Sequence, residues 1–319
     1  MTGRRLVVVG SYNRDTTMTV ARFPSRGETV RAERAFSSHG GKGSNQAIQA
    51  ARLGVGVTLL AAIGDDAPGT DALAFWSREG VDTGAIVTSA QLATGTAAIL
   101  VDQGGENMIV VAPGANDGLT TVDVERIAPQ IACADAVLAQ LETPRQATIA
   151  AFRIAHSQGV RTILNAAPMQ GPLDPELIAL VDILAVNEGE AERVAGVDPG
   201  GGVEAMAALL LEQVGEAVLI SLGGDGALLV RRGEASVWCR PPKVRVVDTT
   251  GAGDALIGAF AAHLAATGDP VAALRRGVAA GSYACATAGA AASFGTAAEI
   301  ALLEQQIPSA SPAIERIVP

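Results

Sequence analysis

The chain has 319 residues, 49% of them apolar, 18% charged and 3% aromatic, enough for one large globular domain or two ordinary ones. Disordered, collagen-like and disulfide-stapled chains are excluded by that composition. Net charge is −10, from 33 acidic and 23 basic residues. With the acids scattered, there is no basic footprint for nucleic acid, and small polar or anionic metabolites remain as partners.

Cys133, Cys239 and Cys285 are odd in number and far apart, which fits neither a disulfide framework nor a zinc site, so a reducing cytoplasm is expected. At the N-terminus, Arg4 and Arg5 precede only four apolar residues, Leu6 to Val9, too few for a signal peptide. The longest uncharged run, Gly277 to Ala298, approaches the roughly 20 apolar residues that span a bilayer. It is mostly Ala, Gly, Ser and Thr, which contribute little transfer free energy; a tightly packed internal helix and loop is expected, and no membrane partner.

In chain order, the first element is a buried strand at Leu6 to Val9. From Tyr12 to Ser38 polar and apolar residues alternate around turn signals at Pro24 and Gly27, as in half-exposed strands. On such a strand Asn13 and Asp15 share one face and Arg14 points to the other. Two hydrogen-bonding side chains on one face suit sugar hydroxyls, or simply make a solvated edge. Gly40-Gly41-Lys42-Gly43-Ser44-Asn45-Gln46 then runs into a helix, Asn45 to Leu53, ending near Gly54. Glycines let backbone approach a ligand. Lys42 is one of two lysines, with Lys243, against 21 arginines, which suggests that a compact ammonium is wanted there. A flexible loop capped by Ser44 or Asn45 is the plainer alternative.

A strand at Val57 to Ile63 and a helix at Ala72 to Arg78 follow, then a second alternating region from Thr94 to Val111 with turns at Gly104 and Gly105. The two alternating regions are expected to form a small β layer standing off the main sheet as a lid, in segments of about 12–38 and 94–111; lids exclude water from active sites. Strands at Ala136 to Leu141, Thr162 to Leu164, Ile183 to Val186 and Ala217 to Leu222 alternate with helices at Pro144 to Ser157 and Val203 to Val214. This rhythm predicts an α/β fold with a mostly parallel central sheet covered by helices on both faces. Ligands of such sheets sit at the carboxyl ends of strands, where Glu142 follows one strand and Asn187 and Glu190 follow another.

Val246 to Ala255, reading Val-Val-Asp-Thr-Thr-Gly-Ala-Gly-Asp-Ala, is a strand, a glycine turn and a helix start leading to about Thr267. Backbone N–H groups of Gly251, Ala252 and Gly253 would converge at the positive end of that helix, a setting for developing phosphoryl charge. Asp254 sits in the first turn, where an acid is also a common helix-start residue. Its partner across the glycines, Asp248, favours function. The chain has no G-x-G-x-x-G, Walker loop, H-E-x-x-H or G-x-S-x-G pattern, and His39, His156 and His263 are isolated.

Two segments, Gly40 to Asn45 and Asp248 to Asp254, resemble the paired signatures of the ribokinase-like (PfkB-type) carbohydrate kinase family. The similarity also takes in Gly10 to Asp15, Pro24 to Thr29, Gly64-Asp65-Asp66, Gly114-Ala115-Asn116, Gln140-Leu141-Glu142, Asn187 to Glu190 and Leu222 to Gly226, in family order over nearly the whole chain. Within the family the pattern is nearest the ribose-specific members. The resemblance implies a single three-layer kinase domain over residues 1–319 with a β lid, MgATP as phosphoryl donor, and D-ribose converted to ribose 5-phosphate at its primary hydroxyl. It further implies that Asn13, Asp15, Gly41, Lys42, Asn45 and Glu142 hold the sugar and that Asp254 is the general base beside the anion hole of Gly251 to Gly253. Asn187, Ser221, Leu222, Gly223, Gly224, Asp225, Gly226, Gly253 and Val278 would surround ATP. Glu190 would help organise Mg²⁺ and phosphate. An activating K⁺ would lie by Asp248, Thr250, Ala284, Thr287, Gly289 and Ser293, and lids in this family often pair into homodimers.

Three features depart from the family pattern. Tyr12 and Arg14 replace small or aliphatic neighbours of the Asn-x-Asp pair, and His39 stands where an apolar residue is usual, so either ring is expected to reshape the sugar pocket. Ala286-Thr287-Ala288-Gly289 lacks an Arg often close to the nucleotide. Competing readings are a nucleoside kinase, for which only Tyr12 and Phe36 offer stacking surface, another sugar kinase, a silent sugar-binding regulator on the same fold, and, least supported, a nicotinamide-dependent oxidoreductase.

Overall fold

The computed structural model describes residues 3–169, 171–196 and 201–308. Its eight-stranded central sheet contains β1 (Arg5–Val9), β4 (Gly56–Leu60), β9 (Ala136–Ala139), β10 (Arg161–Asn165), β11 (Ile183–Asn187), β12 (Ala217–Ser221), β13 (Ala227–Arg231) and β14 (Val237–Cys239), in the order β14-β13-β12-β11-β10-β9-β1-β4. The pairings from β4 across to β12 are parallel, while β12–β13 and β13–β14 are antiparallel. This is a ribokinase-like α/β sheet with helices on both faces. Most strand residues are buried on both sides, hence the unbroken aliphatic runs in the sequence.

The expected strand Val57 to Ile63 is in fact two. β4 stays in the main sheet, and after Ala61 the chain turns into β5 (Ala62–Gly64), which pairs in parallel with β6 (Val87–Ser89) in a separate two-stranded sheet. All but one of those seven residues are buried, so hydropathy carries no mark of the change of partner.

The two alternating regions fold into one sheet, as expected. β2 (Asn13–Val20) pairs with β3 (Ala32–Gly40) and with β7 (Thr96–Val101), and β7 with β8 (Asn107–Ala112), in the order β3-β2-β7-β8. β8 is the outer edge, exposed along its length, with Met108, Ile109, Val110 and Val111 open to solvent.

Two helices bring the ends of the chain together. The helix Lys42–Arg52 packs against the helix Ala252–Thr267 so closely that a Cβ at Gly258 would lie 2.5 Å from the Gln46 carbonyl oxygen. The Gly277 to Ala298 run lies in the helix Pro270–Ala284, the loop after it and the first two residues of the helix Ala297–Glu304. A Cβ at Gly277 would meet the Leu256 carbonyl oxygen at 2.8 Å, so small residues there serve helix contact. Among the described residues no helix is long and apolar enough to cross a membrane.

Candidate active site

The carboxyl ends of β9 to β12 open on one side of the sheet, and the helix Ala252–Thr267 begins there. A cavity of about 130 Å³ is lined by Lys42, Asn165, Asn187, Glu190, Ser221, Gly251, Gly253 and Asp254. It adjoins a larger groove of about 970 Å³ that includes Asn187, Ser221, Gly223 to Gly226, Thr249, Ala252, Gly253 and Val278. Asn187, Ser221 and Gly253 line both. The larger space is of a size for a nucleotide.

Asp254 is buried, and both of its carboxylate oxygens are held. Asn45 Nδ2 donates to Oδ2 at 2.8 Å and Gln46 Nε2 to Oδ1 at 3.0 Å. The second donor is fixed by a lateral relay: Gln140 Nε2 donates to Gln46 Oε1 at 2.7 Å, Gln46 Nε2 also reaches Asn165 Oδ1 at 2.9 Å, and Asn165 Nδ2 donates to the Ala185 carbonyl. Gln46, Gln140 and Asn165 were not singled out by sequence. Their signals were Gln46's place next to Asn45, and the same strand-end rule that picked Glu142. Asn45 therefore works as a ligand of Asp254 and not as a helix cap; the cap position is Gly41, which makes no side-chain cap bond.

Lys42 lines the cavity with this carboxylate. Attraction to Asp254 leads in raising the Lys42 ammonium above its ordinary range; burial opposes it, and Glu142 and Glu190 add to the rise. The backbone N–H of Lys42 donates to Glu142 Oε2 at 2.9 Å, and Ser11 Oγ donates to the same oxygen. Gly41 has φ +86°, and a Cβ there would lie 2.7 Å from the Tyr12 Cα, so only glycine makes this turn without strain. Asn13 Oδ1 accepts from Asn116 Nδ2 at 3.0 Å; the Asn116 side chain also bonds the Tyr12 N–H and carbonyl, pinning the start of β2. Burial, followed by Glu142 and Asp254, pushes the Asp15 carboxyl up to about 7.

At the glycine turn the N–H of Ala252 is taken by the Thr249 carbonyl at 3.1 Å. Of the three expected anion donors, Gly251 and Gly253 keep their N–H groups without an acceptor among the described residues. The Leu222 side chain is buried in the core below β12, and the groove wall there is Ser221 and Gly223 to Gly226. The segment Arg240 to Val244, missed by sequence, supplies the opposite wall.

Glu190 and Asn187 form a reciprocal capping box, each side chain accepting from the other's N–H at 2.9 and 2.8 Å. Asp248 ties two segments together, accepting from Thr250 N at 2.9 Å and Gly289 N at 2.8 Å, while the Cys285 carbonyl accepts from Val247 N. Burial raises the Asp248 carboxyl, but the Gly289 and Thr250 donors outweigh it and hold the group below the usual carboxylate range. Gly251 abuts Ala290, so this tie sits beside the glycine turn, and Ser293, buried, bonds the Ala290 carbonyl. Ala284 closes its helix and Thr287 is exposed.

Tyr12 and His39 do not enter the cavity. Arg14 is paired opposite His39 in the β2–β3 register, so Tyr12, Arg14 and His39 lie on the face away from Asn13 and Asp15. The Tyr12 ring is fully buried against Trp76.

The pfkB family carbohydrate kinase model matches residues 4–297. Ribokinase of Haemophilus influenzae is 38% identical over 301 residues, covering 93% of this chain and 97% of that protein. Ribokinase of Mus musculus is 38% identical over 264 residues, covering 82% and 81%. The structure of Arabidopsis thaliana ribokinase complexed with ribose and ATP aligns with a TM-score of 0.86 at 30% identity, over 96% of this chain and 99% of that one. A fold, a paired cavity and groove, and a family match over nine-tenths of the length agree: the chain belongs to the pfkB family of carbohydrate kinases.

Proposed function

We propose that the protein is an ATP-dependent ribose kinase that transfers the γ-phosphoryl group to the primary hydroxyl of D-ribose. The observation that carries this reading is Asp254, a buried carboxylate with both oxygens held by amide donors, in a small cavity that shares Asn187, Ser221 and Gly253 with a nucleotide-sized groove. Phosphoryl transfer asks mainly for positioning, charge stabilisation and a base within reach of the nucleophile.

Asn13, Asp15, Gly41, Lys42, Asn45 and Glu142 hold the sugar hydroxyls. Asp254 accepts the proton of the primary hydroxyl as its oxygen attacks the γ-phosphorus, the bond to the β-phosphate oxygen breaks, and ADP leaves. Lys42 and the N–H groups of Gly251 and Gly253 offset charge on the phosphoryl oxygens. Asn187, Ser221, Gly223 to Gly226 and Val278 hold the nucleotide. Mg²⁺ bound with ATP would supply charge neutralisation to the phosphates, and Glu190, at the cavity wall, is the residue that would help hold it.

Beside the glycine turn, Asp248 and Thr250 with the loop of Ala284, Thr287, Gly289 and Ser293 are the residues that would hold an activating K⁺, through the oxygen donors that a hard cation takes. The 319 residues act as one kinase unit with the β2-β3-β7-β8 sheet as its lid. The exposed apolar β8 edge suits pairing with a second copy, an unpaired strand edge being a template for another chain, and three free cysteines suit a reducing cytoplasm. Among nucleoside and sugar readings the sugar is favoured, because Tyr12 is sealed in the core and Phe36 alone remains as stacking surface.

The test is ADP release from MgATP with ribose, deoxyribose, fructose, ketodeoxygluconate, adenosine and cytidine in parallel, in potassium and in sodium buffer. Ribose-dependent turnover favoured by potassium is expected. Turnover with a nucleoside instead of ribose, or binding of ribose with no ADP release, refutes the assignment.

A further inference from the structure

The residues that depart from the family pattern around the Asn13 and Asp15 pair form one connected cluster behind it. Arg14 Nη1 meets Asp71 Oδ2 at 2.6 Å. Asp71 lies on the helix Ala67–Arg78, and His39 Nε2 stands 3.7 Å from the same carboxylate. The His39 ring is stacked on Phe75 of that helix, with centroids 3.9 Å apart and an interplanar angle of 11°. Its Nδ1 shares a hydrogen bond with the Tyr12 hydroxyl at 2.8 Å. One residue beyond Phe75, the Trp76 indole N–H donates to Ser44 Oγ at 2.8 Å, in the first turn of the helix that carries Lys42 and Asn45.

The helix Ala67–Arg78 thus touches both halves of the sugar site from behind. It grips the root of β2 and β3 through Asp71 and Phe75, and the start of the helix Lys42–Arg52 through Trp76. Because strand residues alternate in direction, fixing Arg14 and His39 on the rear face fixes the outward direction of Asn13 and Asp15 on the front.

We infer that Asp71 and His39 are positioning residues for the sugar: with Arg14 and Tyr12 they bolt the lid root to the helix Ala67–Arg78 and so set the placement of Asn13 and Asp15 against the hydroxyls. This rests on the ribose kinase reading for its substrate, though not for the anchor. The Arg14–Asp71 pair is half-exposed, and such pairs add little to global stability. Its loss therefore acts on placement more than on folding.

The experiment compares Asp71→Ala, Arg14→Ala, their double variant and His39→Phe, the last keeping a ring on Phe75 while removing the bond to Tyr12. Asp71→Ala is expected to raise the KM for ribose about tenfold, the scale of one hydrogen bond lost, with the KM for ATP at saturating ribose within about twofold and little change in melting temperature. The double variant is expected to be no worse than the single ones, and hydrogen exchange of the amides of 14–18 is expected to quicken without any substrate present. Unchanged ribose KM with unchanged exchange at 14–18 overturns the inference, as does an equal rise in both KM values with a lowered melting temperature, which marks general loosening. If the wild-type protein does not phosphorylate ribose, the functional reading fails and the exchange comparison still decides the anchor.

Discussion

Replacing Asp254 with Asn removes the proton acceptor while leaving the site's shape in place. The introduced amide has one acceptor and one donor where the carboxylate has two acceptors, so one of the two amides now facing it would meet donor with donor. Gln46 cannot turn to relieve this, since its Oε1 receives Gln140 and its Nε2 serves Asn165. Asn45 can, because its Oδ1 is buried without a hydrogen-bond partner; a half-turn of that amide presents the oxygen to the new NH₂. The structural cost is then below the roughly 1–3 kcal/mol of an unsatisfied buried group. Loss of the base lowers turnover about 10²-fold or more, which is a barrier higher by about 2.7 kcal/mol or more at 1.36 kcal/mol per decade. Coupled ADP release would measure kcat, titration calorimetry the ribose affinity, and a thermal melt the fold. A variant that melts and binds ribose like the wild type yet keeps kcat within tenfold would refute Asp254 as the base.

Gly43→Ala places a Cβ 2.5 Å from the Gly10 Cα and the Ser11 nitrogen, and since backbone cannot move aside cheaply, denaturant titration should show a loss of about 1–3 kcal/mol with ribose turnover strongly reduced. Asp15, raised from 3.8 to about 7, binds a proton in the folded protein that the unfolded chain releases, so its contribution to stability falls as pH rises between about 4 and 7. If only the carboxylate accepts sugar hydroxyls, the KM for ribose drops about tenfold from pH 6 to pH 8, and Asp15→Asn flattens that profile; a slope that survives the substitution belongs to another group. Asp248→Ala is expected to erase any difference between potassium and sodium buffers in kcat, and a retained potassium preference moves the ion elsewhere. Val110→Lys, on the exposed edge strand, is expected to shift a dimer to monomer in sedimentation, and an unchanged sedimentation coefficient removes the lid edge as the interface.

Sequence reached furthest where chemistry and local geometry coincide. Asp254, Lys42, Asn45 and Glu142 were legible because glycine turns and strand ends are local events: Lys42 and Asp254 line one cavity, Asn45 donates to the Asp254 carboxylate, and Glu142 accepts from the Lys42 N–H. Alternation in β2 even placed Arg14 correctly on the rear face. Its partner Asp71, 57 residues on, was not legible, because nothing in an alternating strand says which helix lies behind it; hence Tyr12 and His39 were expected to reshape the pocket directly, whereas both lie on its rear face. The Gln140–Gln46–Asn165 relay is a three-element contact, invisible until β9 and β10 lie side by side. The break after Ala61 and the antiparallel pair β13 and β14 were missed for a related reason: buried runs look alike whichever neighbour they join.

The bond between Asn45 and Asp254 joins residues 209 positions apart. During synthesis, a chain that has emerged as far as β13 already carries Lys42, Asn45 and Glu142 but lacks Asp254, the glycine turn and the helix Ala252–Thr267. Competence is therefore withheld until the last quarter of the polypeptide docks. Contacts this distant are also slow to close, so the helix Lys42–Arg52 waits on the last segment for the surface it packs against.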